Sequence, residues 1–115
     1  VSTLNAIRCS PLAAAVEGAD ASRAQGAALS MTTQALQQDE VIEFAASALG
    51  EEVAAVLKGR VDIVAAGEHY VLSAGEAILI PPFEARRYQC LEANCVLYRV
   101  VGDAAATTAA TENQR

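Results

Sequence analysis

Arg86, Tyr88 and Cys90 stand two residues apart, and Arg87 and Gln89 fill the gaps. In an extended strand alternate side chains share one face, so a guanidinium, a phenol and a thiol would project together. Surrounded by apolar walls, that trio makes a pocket suited to a small anionic or polar molecule. The plainer reading is that Tyr88 and Cys90 fill a core. His69 is the only histidine. As a general base it would need a carboxylate to orient it and a substrate beside it. It follows Glu68 directly after Ala66-Gly67, a turn position that points it to solvent. Glu51-Glu52 reads as structural or solvated rather than as a catalytic pair. Cys90 and Cys95 flank Glu92-Ala93-Asn94, so they could oppose each other across a hairpin as a redox pair or lie buried as two thiols.

The elements that must position these residues are short. Leu29, Met31, Thr33 and Ala35 alternate with more polar neighbours, and Val41–Phe44 begins a further strand. Val53–Leu57 is a small apolar run, with a rival helical reading over 45–57 because Ala and Glu favour helices. Val61, Ile63 and Ala65 alternate, Ala66-Gly67 turns, and Tyr70–Leu72 returns. Ser73-Ala74-Gly75 turns again before Ala77–Ile80, which Pro81-Pro82 halts. Residues 86–91 and 95–101 read as a last hairpin. This spacing predicts an all-β sandwich or barrel over 28–101. Residues 1–27 form an N-terminal extension that adds a short helix or an edge strand; Ser10-Pro11 would open such a helix and Gly18 close it. Residues 102–115, rich in Ala and Thr, read as a flexible tail.

Composition narrows the function. Of 115 residues 53% are hydrophobic, but 26 are alanine, which buries little surface, so the chain is one domain with a modest core. A net charge of −6 and the absence of Trp argue against nucleic acid as a partner. No apolar stretch is long enough for a membrane helix, and Val1–Asn5 lacks the features of a secretion signal. An odd number of cysteines suits a reducing compartment, so the expected location is cytoplasmic.

Two motifs carry a resemblance. Glu52-Val53-Ala54-Ala55-Val56-Leu57-Lys58-Gly59 is similar to the first cupin motif, with glycine seven positions after glutamate. Gly75-Glu76-Ala77-Ile78-Leu79-Ile80-Pro81 resembles the start of the second, and the gap between the motifs matches small bacterial cupins. The resemblance spans about residues 28–101. It implies a double-stranded β-helix, a jelly-roll barrel, commonly paired as a homodimer. It also implies a metal held by two histidines before the glutamate and one after the proline. Here those positions carry Ala46 and Ala48 (or Ala45 and Ser47) and Arg86, while Cys90 and Phe83 replace a family asparagine and glycine. Of the implied ligands only Glu52 is present, and one carboxylate does not hold a transition metal.

The expectation is therefore a metal-independent cupin with no cofactor, a small-molecule-binding or structural or sensory module. Its candidate interior site is Glu52, Arg86, Tyr88 and Cys90, with Phe83 at the mouth. Arg86 either pairs with Glu52 where the metal would have been or extends to the barrel mouth. The alternative is a metal-free isomerase or lyase for a small polar substrate, with His69 as base and Tyr70 or Tyr88 as acid. Strand 28–36 is expected to pair with a partner subunit, which would cover an edge.

Overall fold

A computed structural model of the chain describes residues 9–18, 20–46 and 50–103. Nine strands run through them: β1 (Ser22–Gln25), β2 (Leu29–Gln37), β3 (Val41–Phe44), β4 (Glu52–Lys58), β5 (Arg60–Ala65), β6 (Glu68–Ser73), β7 (Ala77–Ile80), β8 (Arg86–Cys90) and β9 (Asn94–Gly102). They form two antiparallel sheets, one ordered β1-β2-β9-β4-β7 and the other β3-β8-β5-β6. No described helix is long and apolar enough to cross a membrane.

Strand alternation builds the core between the sheets. Ala54 and Val56 of β4, Val61, Ile63 and Ala65 of β5, and Leu36 and Leu97 turn inward and are buried. Each large aliphatic side chain so buried contributes about 1.5–3 kcal/mol. The apolar run at 53–57 is therefore strand, because its alternate residues meet the opposite sheet.

The motif residues are corners between the two layers. Gly59 joins β4 in one sheet to β5 in the other, with φ +79. A Cβ there would lie 2.6 Å from the Asn94 carbonyl oxygen and 2.8 Å from Cys95 Sγ, so only glycine fits the crossing. Gly75, between β6 and β7, donates its N–H to the Val56 carbonyl at 2.8 Å. Pro81-Pro82 ends β7 before the chain passes to β8 in the other sheet. Ala66-Gly67, both at positive φ, makes a true two-residue hairpin turn between β5 and β6.

Three expectations need correction. The helix from Ser10 to Gly18 does not form in the described residues 9–18. A segment of that length does not offset the cost of nucleation alone. Ala15 N–H instead donates to Thr33 Oγ1 at 2.8 Å, which ties the segment to the outer face of β2. The last hairpin is absent as well: β8 pairs with β3 and β5, whereas β9 pairs with β2 and β4. Turn chemistry at 92–94 shows a reversal but not which sheet receives the next strand. Finally, β2 has no open edge for a partner subunit, since β1 and β9 occupy both its sides. Residues 1–8, Ser47, Ala48 and the tail from 104 onward lie outside the described residues.

Candidate functional site

The centre of the site is a carboxylate with no exposed surface. Glu52 opens β4 facing inward, and its side chain is 0% exposed. An isolated buried charge is prohibitively costly, so its partners decide whether it can ionise. Arg86 at the start of β8 donates from Nη1 to Oε1 at 2.8 Å. Arg99 of β9, paired with Ala54 on the neighbouring strand, donates from Nη2 to Oε1 at 2.7 Å and from Nε to Oε2 at 2.8 Å. The Tyr88 hydroxyl donates to Oε2 as well.

Arg86 is bonded on its remaining sides. Its Nη2 donates to the carbonyls of Gly50 at 3.0 Å and Pro81 at 2.9 Å, and its Nε to that of Glu84 at 3.0 Å. It does not extend to solvent at the barrel mouth. Gly50 comes close because it lacks a side chain: a Cβ there would stand 2.2 Å from the Gly102 carbonyl oxygen. Arg99 is fixed differently. Its guanidinium lies 3.9 Å from the Phe44 ring centroid and 5.3 Å from that of Tyr88, a cation–π arrangement.

The electrostatics follow from this geometry. Burial alone would raise the Glu52 pKa. The bonds and charge of Arg99, with the bonds from Tyr88 and Arg86, outweigh it and hold the carboxyl below its ordinary value. Burial and the Glu52 charge push the Tyr88 phenol well above its usual range. Burial opposes the Arg99 charge, but Glu52 more than restores it and its pKa is raised.

The other named residues take different places. Cys90 is buried at the far end of β8, where its thiol faces the carbonyls of Glu92 at 3.1 Å and Leu36 at 3.6 Å, away from Glu52. Burial, then the neighbouring Cys95 thiol, push Cys90 up to about 12, so it is a poor nucleophile. Both thiols are free. Phe83 sits half-exposed in the loop between β7 and β8 at φ +61. His69 lies on the outer face of the second sheet against Asp62, its side chain 63% exposed. Tyr70 bonds to Glu68 at 2.7 Å, also on the surface.

Sequence reasoning missed Arg99, Phe44 and Arg23. The signal for Arg99 was a lone cation in the inward register of an otherwise apolar strand, shared with Cys95, Leu97 and Val101. Beside Arg99, and against the inner faces of β1, β2 and β9, lies a cavity of about 270 Å³. Its wall includes Arg23, Gln25, Ser30, Thr32, Phe44 and Arg99. Neither Phe83 nor Cys90 belongs to this wall.

Two facing antiparallel sheets with motif glycines at their corners define a jelly-roll sandwich of cupin type. Among solved structures the chain is similar to the cupin domain of Cnp3 from Schizosaccharomyces pombe, with TM-score 0.67 and 6% identity over 80% of this chain and 69% of that one. It is similar to an RmlC-like cupin from Shewanella frigidimarina, with TM-score 0.61 and 18% identity over 77% and 81%. The Cupin_2 domain of an XRE family transcriptional regulator from Enterobacter cloacae has TM-score 0.58 and 13% identity over 64% and 79%. No protein-family model and no curated protein matches. The chain has the cupin fold, and at these identities the likeness speaks for the fold alone.

The metal common in that fold does not suit these residues. Both Glu52 oxygens are taken by Arg86, Arg99 and Tyr88. Arg86 stands where the resemblance implies a histidine, as does Ala45 or Ala46, and the described residues hold no group of three or more His, Cys, Asp or Glu side chains placed to bind a metal. A guanidinium beside the carboxylate repels a cation rather than ligating it.

Proposed function

We propose that this protein is a metal-independent cupin module that binds a small polar or anionic molecule at the arginine-lined end of its barrel. The observation that carries this reading is Glu52 gripped by Arg86 from the opposite sheet and by Arg99 from the neighbouring strand of its own sheet. The network does by ion pairing what a metal does elsewhere: it ties opposite walls of the barrel at one point. The adjoining cavity leaves room for a ligand. A sensory role is consistent with the similar cupin domain that forms part of a transcriptional regulator from Enterobacter cloacae. The enzymatic alternative has no interior imidazole, because His69 lies on the outer face, and the phenol of Tyr88 is committed to Glu52.

Elemental analysis of the purified chain, with thermal melts in chelator and in added zinc, manganese or iron, tests metal independence. The expected result is less than a tenth of an equivalent of metal and an unchanged Tm. One tightly held equivalent per chain overturns the reading. A second copy of this chain is the proposed partner, with its test given below.

A further inference from the structure

We propose that the cavity beside Arg99 is a binding site for a small monocarboxylate, held by Arg99 and Arg23 with help from the Ser30 and Thr32 hydroxyls. This rests on the reading of the protein as a binding module and names the ligand class. Charge comes first. The buried network and the cavity wall together hold three guanidiniums, those of Arg86, Arg99 and Arg23. Against them stand Glu52 and, on the wall, Asp103. Even with Asp103 counted in full, one positive charge remains in this network and wall, which one carboxylate would neutralise.

Geometry gives the second reason. Arg99 is only 7% exposed, and it is part of the cavity wall. Nε and Nη2 are bonded to Glu52 and one face lies on Phe44, so the guanidinium is fixed in place. Its Nη1 takes no part in the bonds to Glu52. A fixed cation loses little freedom when an anion arrives. Arg23 pairs with Thr32 on β2, and Thr32 pairs with Arg99 on β9, so the three side chains stand in one row across the sheet. A bidentate carboxylate suits such a row of donors. Phe44, Leu29 and Val101 add apolar surface for a short organic tail. At about 270 Å³ the space is large enough for a small organic acid.

The test is calorimetric titration and thermal shift of the full chain with acetate, lactate and phenylacetate, with the matching amides, and with inorganic phosphate. At least one carboxylate should bind, and its amide should bind tenfold or more weakly. Arg23→Gln should weaken the carboxylate at least tenfold without moving the Tm of the free protein, because Arg23 is exposed. Thr32→Val should weaken it by a smaller factor. Equal binding of acid and amide, tighter binding of phosphate than of every carboxylate, or indifference to Arg23→Gln overturns this inference and leaves the binding module standing. If no probe of any kind binds, both readings fall.

Discussion

Glu52 is one negative charge shared by two guanidiniums and a phenol, and removing it leaves both cations buried without their counter-ion. Breaking a buried pair in this way costs about 3–5 kcal/mol, so Glu52→Gln should lower stability by that order in chemical denaturation. Acid should act through the same group. Glu52 has a pKa below its unfolded value of 4.5, so the unfolded chain takes up the proton first as pH falls. Its stabilisation is complete above that value and is lost as pH drops through the lower, folded one. A denaturation series from pH 6 to pH 3 should show this loss, and the slope should be reduced in Glu52→Gln. Thiol accessibility is a separate prediction at this scale. Cys9 is exposed while Cys90 and Cys95 are buried, so a thiol reagent should modify one cysteine in the native protein and three after unfolding.

The corners between the sheets govern the elements. Gly59→Ala would place a methyl group against the Asn94 carbonyl and Cys95 Sγ at positive φ. The left-handed conformation alone costs about 1–2 kcal/mol for an L-residue, and the clash adds to it. The midpoint of denaturation should fall by more than that conformational cost explains. Phe83 is the opposite case. It holds φ +61 in a place where the cupin pattern carries glycine, with 45% of its surface exposed. Phe83→Gly should therefore leave Tm unchanged or higher, although glycine elsewhere in a strand or helix usually lowers it. A clear loss of Tm would mean that the ring contributes packing beyond its half-buried face.

At the scale of the whole molecule, apolar residues remain on the outside. Val53 and Leu79 are paired neighbours on β4 and β7, and with Leu57 they are 42%, 62% and 45% exposed on one outer face. The short strand β7 ends that sheet. This is the face proposed for the second copy, in place of β2, whose edges are filled. Light scattering at micromolar concentration should give twice the chain mass of 11.9 kDa, and Leu79→Lys should shift it to the monomer. A monomer in the unaltered protein would refute the dimer.

How far the sequence reaches depends on whether a feature is local. Alternation within 61–65 and 86–90, the Ala66-Gly67 turn, and the paired glycine and proline motifs are encoded by neighbouring residues, so strands and fold class were legible. Glu52 and Arg86 could be singled out because each sits at a set distance from a motif corner. The far-off partners were not legible. Whether β8 turns back on itself or crosses to the other sheet depends on which layer buries the next apolar face, and no residue at 92–94 encodes that. Arg99 lies 47 residues from Glu52 and looked like one polar position in an apolar strand. Composition and spacing by themselves determined an acidic all-β chain with a single histidine, and the resemblance of its two motifs to those of cupins added the corners and the missing metal ligands. Only the tertiary structure decided that a second arginine completes the network beside an open cavity, because strand pairing within one sheet brings Arg99 to Glu52 and the stacking of the two sheets brings Arg86, and neither follows from order along the chain.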